Sequence, residues 1–391
     1  MRTLIIILLC CTVGVSQGQS GLDSLLTQVA RNNKTLQAGA QRVEADALRS
    51  HTGIQLSDPY MEYDYMIGSP VGAGNQTDFT IAQPFDFPTT YGKRKQLAEA
   101  QAARSTIDLV ALRQDVLLDA QLTGLDLIHA NKRKAVLDRR LRDAERMHTQ
   151  FQKALAEGQS NVLDANKAQL HLLQTRTAAQ ANASRITQLL QHLAELNGGL
   201  PVALVDTLYP VARAVPDFAT IERNYEASDP LLKQLVQDEA IAAKQVELGK
   251  SLWLPSMTAG YHYQGILGQT YSGVHLGLNI PLWEKRNTVK AAKAEQLMAS
   301  LNTEDHRNEH YFEIAELHER YTQLDGAYSA NRELFSGLNN AALLNKAFTF
   351  GELSSIEYFM EVSYYNNAED DFLELDRDRQ MAVARLFKYI L

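Results

Sequence analysis

The chain has 391 residues, of which 45 % are hydrophobic and 21 % charged, and its formal net charge is −8. The apolar content excludes a disordered chain, and the charge content excludes a multi-pass helical membrane protein. The negative balance argues against phosphate-backbone binding, so no nucleic-acid partner is expected.

The chain opens with Arg2, an apolar run from Leu4 to Val15, and then small and polar residues. This pattern reads as a secretory signal peptide over 1–18, cleaved after Gly18. The run is too short to anchor in a bilayer, which needs ~20 residues. Cys10 and Cys11, the only two cysteines, fall inside it. The mature chain is therefore expected to have no disulfide, thiolate metal site or cysteine nucleophile. No later stretch offers ~18 uninterrupted apolar residues, so no spanning helix is expected. An exported chain can still enter a membrane as a β-barrel.

After a first helix the period changes from 3.6 to 2. Met61, Tyr63, Tyr65 and Ile67 alternate with Glu62 and Asp64, and Phe79, Ile81, Phe85 and Phe87 alternate with Asp78, Thr80 and Asp86. Strands are predicted over about 57–67 and 77–87. Next come more than a hundred residues without proline, between Pro88 and Pro201, rich in strong helix formers. They predict a helical hairpin over 91–198, turning at Ala156-Glu157-Gly158-Gln159-Ser160-Asn161. From Tyr91 to Glu157 is 67 residues, or ~100 Å of helix, which predicts an elongated molecule.

The segment 199–216, with Pro201, Pro210 and Pro216, reads as a linker. Beyond another helix, Met257, Ala259, Tyr261 and Tyr263 alternate with polar residues, as do Val274, Leu276, Leu278, Ile280 and Leu282. Strands are predicted over about 255–265 and 272–282. The proline-free remainder predicts a second helical hairpin over 285–391, turning at Phe350-Gly351-Glu352-Leu353-Ser354-Ser355.

Ten-residue alternation of this kind suits a transmembrane barrel strand, and it equally suits an ordinary half-buried sheet. The signal peptide, the missing cysteines and the long helices favour the barrel. Four strands cannot close one, since the smallest have ~8, so several chains would pool theirs.

The order helix, two strands, long helix, glycine turn, long helix occurs twice. Pro88 maps to Pro281 and Gly158 to Gly351, both at an offset of 193. The chain thus reads as two structural repeats, 19–198 and 217–391, joined by 199–216. The fold class is mainly α with a small β part.

These features resemble the TolC family of outer-membrane efflux proteins over nearly the whole mature chain. The resemblance rests on the duplicated layout and on Gln83-Pro84-Phe85-Asp86-Phe87-Pro88 running into Tyr91-Gly92-Lys93-Arg94. It rests also on Asn279-Ile280-Pro281-Leu282-Trp283 and on the two hairpin turns. The element Phe87-Pro88-x-x-Tyr91-Gly92-Lys93-Arg94 is most like the heavy-metal (cation) efflux branch. The resemblance implies a homotrimer in outer-membrane lipid, with a twelve-stranded β-barrel and a long periplasmic α-helical barrel. It also implies a periplasmic adaptor (membrane-fusion) protein and an inner-membrane pump of RND type as partners. Gly158, Gln159, Ser160, Val162 and Leu163, with Gly351, Glu352, Leu353, Ser354 and Ile356, carry the family's tip motif and would dock the adaptor. Asp164, Glu357 and Glu361 would ring a closed periplasmic gate, where converging carboxylates attract cations.

No cofactor and no catalytic residue is expected. His306 and His310 fit the H-x-x-E-H zinc-peptidase spacing and share a helix face, but they lie mid-helix; they stand as weak metal candidates, with Glu313 or His318 as partner. Tyr358, Phe359, Tyr364 and Tyr365 are expected to pack between helices. Two other readings remain open: an exit duct for polypeptides in type I secretion, and an exported helical rod with a structural role.

Overall fold

The computed structural model describes residues 21–211, 213–337 and 340–391. The expected leader, 1–18, lies outside the described residues. The elements run α1 (Gly21–Asn32), α2 (Lys34–Ser50), β1 (Tyr60–Met66), β2 (Gln76–Phe85), α3 (Pro88–Ala156) and α4 (Val162–Leu196). After the segment 197–217 follow α5 (Phe218–Ser228), α6 (Pro230–Ser251), β3 (Ser256–Ile266), β4 (Gln269–Asn279), α7 (Thr288–Gly337), α8 (Asn340–Thr349) and α9 (Ser355–Leu386). The fold is mainly helical with one four-stranded sheet, and the second half repeats the order of the first. No described helix is long and apolar enough to cross a membrane.

The strands form one antiparallel sheet in the order β1-β2-β3-β4. Register carries the alternation across all four strands. Met61 pairs with Ile81, Ile81 with Tyr261, and Tyr261 with Val274. Two residues along, Tyr63, Phe79 and Tyr263 make the next row of the same face. The opposite face carries Glu62, Thr80 and His262, then Asp64, Asp78, Gln264 and Tyr271. Thr80 Oγ1 and His262 Nδ1 lie 2.8 Å apart on that face.

β4 begins three residues earlier than the alternation suggests, because the turn before it is only Leu267-Gly268. Both residues have positive φ, 48° and 80°, as a two-residue hairpin of type I′ requires. Gln269, Thr270 and Tyr271 hide this strand start, since they show no apolar alternation. Pro84 sits in β2 opposite Thr258, past Ala82, where the β1 pairing ends. There a proline loses a ladder bond on one side only. The strand β4 stops at Asn279, just before Pro281, and α7 starts at Thr288; α3 instead starts on Pro88 itself. Proline suits that first helical position because its fixed φ is already helical.

The chain divides into two compact units. One comprises the sheet with residues 35–115, 216–318 and 386–391. Here α6 packs on the first part of α3 through Arg104 Nε to Asp238 (2.8 Å), Gln234 to Asp108 (2.8 Å) and Gln237 to the carbonyl of Ala100 (2.8 Å).

The other unit comprises residues up to 34 with 116–215 and 319–385. Leu22, Leu25, Val29, Leu127, Ile128, Leu189 and Leu193 are buried in it. Asn32 Nδ2 donates to Asn197 Oδ1 at 2.9 Å and Asn33 Nδ2 to the carbonyl of Leu196 at 2.8 Å. These bonds close the first helix onto the end of α4. Between α3 and α9 lies an ionic seam: Arg140 reaches Glu369 (2.8 Å) and Asp370 (2.9 Å), and Lys132 reaches Asp376 (2.8 Å).

Candidate functional site

The two hairpin turns share one construction. Gly158 has φ +73° and Gly351 φ +76°, a left-handed conformation that costs any residue with a Cβ. At the first turn Gln159 N–H donates to the carbonyl of Ala154 (2.8 Å) and Gly158 N–H to that of Leu155 (3.1 Å). At the second, Glu352 N–H donates to Ala347 (2.9 Å) and Gly351 N–H to Phe348 (3.0 Å). This crossed pair of bonds is the Schellman motif, which satisfies the last carbonyls of a helix. No atom lies within 4 Å of the position a Cβ would take at either glycine. Backbone conformation, not crowding, therefore fixes glycine at both turns.

The helices that leave the turns are capped in the same register. Asn161 Oδ1 accepts from Asp164 N–H at 2.9 Å, and Asn161 Nδ2 donates back to Asp164 Oδ2 at 3.0 Å. At the second turn Glu357 N–H donates to Ser354 Oγ (3.3 Å) while Ser354 N–H donates to Glu357 Oε2 (2.8 Å). That is a reciprocal capping box. The Ser354 backbone N–H, and after it the Ser354 hydroxyl, hold the Glu357 carboxyl below its ordinary pKa.

Beneath the turns, both hairpins stand on one core. Met147 and Phe151 of α3, Ala168 of α4 and Tyr358 of α9 are buried together, with Leu344, Phe348, Phe359 and Val362 packed against them. Phe348 and Tyr358 have ring centroids 4.8 Å apart, and Phe151 lies 5.5 Å from Phe348. The Tyr358 hydroxyl donates to Asn345 Oδ1 at 2.6 Å. Such aromatic pairs hold geometry as well as burying area.

This core places the sequence candidates as follows. Gly158, Gln159, Val162, Leu163, Gly351, Glu352, Ser354 and Ile356 are exposed, while Ser160 and Leu353 are half-buried. Glu357 carries the capping carboxylate just described, whereas the Asp164 carboxylate accepts from the Asn161 side chain and from Lys167 Nζ at 3.4 Å. Glu361, one turn beyond Glu357, is exposed and lines a cavity of about 420 Å³ with Phe335, Tyr364, Tyr365, Asp371 and Phe372. Tyr358, Phe359 and Tyr365 make aromatic contacts. Tyr364 borders the same cavity but is 78 % exposed, so it is not enclosed between helices of the single chain. Phe350, 70 % exposed immediately before Gly351, adds an apolar side chain to the exposed surface of the second turn that the sequence candidates do not include. A bulky apolar residue at a turn, where water would be its neighbour, was the available signal.

The histidines are spent otherwise. His306 Nε2 lies 2.7 Å from Asp229 Oδ2, and His310 Nε2 lies 3.8 Å from the same oxygen. Asp229 meanwhile caps α6 by accepting from Leu231 and Leu232 N–H (3.0 and 3.1 Å). Their neighbour is thus Asp229, in place of Glu313 or His318. Among the described residues no group of three or more His, Cys, Asp or Glu side chains is arranged to hold a metal.

No protein-family model matches the chain, and no curated protein matches it. Solved structures do. One of CusC, described for its folding and transmembrane channel formation, aligns with TM-score 0.78 at 15 % identity, covering 95 % of this chain and 92 % of that one. The fold is that of the TolC-type outer-membrane channels. A membrane protein from Pseudomonas aeruginosa aligns with TM-score 0.80 at 16 % identity, covering 95 % and 90 %. The MtrE outer membrane channel of Neisseria gonorrhoeae, in an open state, aligns with TM-score 0.75 at 14 % identity, covering 94 % and 88 %. A TolC-type fold matches the duplicated element order and the four-stranded sheet.

Proposed function

We propose that the chain is the outer-membrane exit duct of a tripartite efflux system. The observation that carries this reading is the sheet. One face holds Met61, Tyr63, Ile81, Tyr261, Val274 and Leu276, with Val274 80 % and Leu276 76 % exposed, and among the described residues β1 and β4 each have no strand neighbour on one side. An open apolar sheet with two free edges is an aggregation hazard unless it is completed. Three copies, edge to edge, would close a twelve-stranded barrel with apolar residues to lipid and polar residues to the lumen.

In this reading the tips dock a periplasmic adaptor. Gln159, Val162, Leu163, Phe350, Glu352 and Ile356 offer an exposed, partly apolar surface on a rigid aromatic base. An inner-membrane pump, of RND type, supplies the energy, and the duct needs no covalent chemistry. Cations, including heavy-metal ions, suit the lumen, because Glu62, Asp64 and Asp78 share the polar sheet face. A resting gate near the tips would combine Asp164, in the first turn of α4, and Glu357, which caps α9, with Glu361, whose carboxylate is exposed and would act across copies.

The test is a conductance measurement on purified protein added to planar bilayers, alongside membrane fractionation. The duct reading expects detergent-dependent extraction and discrete channels that divalent cations block. Extraction without detergent and no conductance would favour a structural rod instead.

A further inference from the structure

Both tryptophans of the chain sit at one end of the sheet. Trp253 precedes β3 and Trp283 follows β4, and the pairing of Ser256 with Asn279 brings these strand ends together. Trp253 is 42 % and Trp283 80 % exposed, and Phe87, Leu254, Ile280 and Leu282 are exposed at the same end. Exposed indoles beside an apolar sheet face are what a membrane–water interface selects, because each ring has an apolar body and one polar N–H.

The residues next along the chain are basic. Lys93, Arg94 and Lys95 lie in the second turn of α3; Lys285 and Arg286 precede α7, and Lys290 and Lys293 lie in its first two turns. Neither helix has an acidic residue in its first turn, whereas α4 and α9 have Asp164 and Glu357 there. Cations at a helix N-terminus oppose the helix dipole, so local helix stability does not explain them. Some are answered within the chain: Arg94 by Asp86 (2.6 Å), Lys93 by Glu247 (3.5 Å) and Lys285 by Glu284 (2.6 Å). Arg286, Lys290 and Lys293 are exposed and have no ion pair among the described residues. In a chain of net charge −8, three unanswered cations beside an exposed tryptophan call for an outside anion.

We propose that Arg286, Lys290 and Lys293, together with Trp283, form a surface that binds the phosphate headgroups of anionic phospholipid at the helix-side rim of the sheet. The juxtaposition sets the order of contacts: sheet face to acyl chains, indoles to the glycerol level, cations to the phosphates. This rests on the membrane-spanning reading of the sheet. Each basic residue near an anionic bilayer surface contributes about fivefold to lipid association at low salt.

The test uses the full chain in phosphatidylcholine vesicles that carry a trace of dansyl-labelled phosphatidylglycerol or dansyl-labelled phosphatidylcholine. Energy transfer from Trp253 and Trp283 reports which lipid borders the protein. The expected result is several-fold stronger transfer to labelled phosphatidylglycerol at low salt, falling with added sodium chloride. The preference should vanish in R286Q/K290Q/K293Q and persist in the charge-keeping K290R/K293R. Equal transfer to the two lipids in the unsubstituted chain, or an undiminished preference in the triple Gln variant, would overturn the proposal while leaving the barrel standing. Transfer to neither lipid would overturn the barrel and the proposal together.

Discussion

Ser354 and Glu357 hold each other across the first turn of α9: Ser354 N–H donates to Glu357 Oε2 at 2.8 Å, and Glu357 N–H donates to Ser354 Oγ at 3.3 Å. The exchange fixes where the second hairpin turn ends, and it favours the ionised carboxylate, whose pKa is lowered. A carboxyl with a lowered folded-state pKa contributes stability that is present above its unfolded value and is lost as pH falls through its folded value. Hydrogen exchange of the amides that open α9 should therefore lose protection on acidification through the carboxylate range. In Glu357→Gln that acid-dependent loss should be absent, since Gln keeps a capping acceptor without a titrating group.

Gly158 and Gly351 should tolerate Asn far better than Val. Space is open at both, so the cost is the left-handed backbone alone, about 1–2 kcal/mol for an ordinary residue and less for Asn. Thermal unfolding of the Asn and Val variants measures this directly. The double Val variant should also lose adaptor-dependent efflux while remaining in the membrane, and undiminished efflux would separate the turns from docking.

Arg140 is 8 % exposed and answers both Glu369 and Asp370. Arg140→Ala removes the more buried cation while Arg139 still reaches Glu369 (2.7 Å) and Arg133 lies 3.9 Å from Asp370, so destabilisation of about 1.5–3 kcal/mol is expected. The urea midpoint should fall accordingly, and it should fall further when Arg139, the other cation on Glu369, is also replaced by Ala.

His129 is buried, and burial, followed by the positive charges of Arg377, Arg133 and Lys132, pushes its pKa down to about 4. The unfolded chain then binds a proton between about pH 6.5 and 4 that the folded chain refuses. Stability should fall as pH is lowered through this window. Replacing His129 with Leu should flatten that part of the profile, as measured by denaturant midpoints across pH.

The sequence carried the fold through residues whose conformational demands are local. Proline positions bounded the long helices, the two glycines marked the turns, and period-2 alternation marked four strands. The signature Ser354-x-x-Glu357 was equally legible as a capping box, and so was Asn161-x-x-Asp164 as a cap. The contacts that seat the tips were not legible, because Phe151 with Phe348 and Arg140 with Glu369 join residues some two hundred positions apart. Asp229 as the partner of His306 was hidden for the same reason. The short turn Leu267-Gly268 was obscured because Leu rarely accepts positive φ.

Glu361 offers a sharper test of the gate than its neighbours. The Asp164 carboxylate is held by Asn161 and Lys167 and that of Glu357 by Ser354, whereas Glu361 is exposed beside a cavity. Glu361→Gln should weaken divalent block in planar bilayers, and Glu357→Gln should change it less. Equal block in all three proteins would place the gate elsewhere.

The central claim is that one chain supplies only part of a membrane barrel. Its most direct test is the protein mass of the detergent-extracted assembly, by light scattering coupled to size exclusion with detergent subtracted. The account predicts a particle of three chains, the full sequence of each being 43.6 kDa. A monodisperse single chain, or a protein that leaves the membrane without detergent, would contradict it.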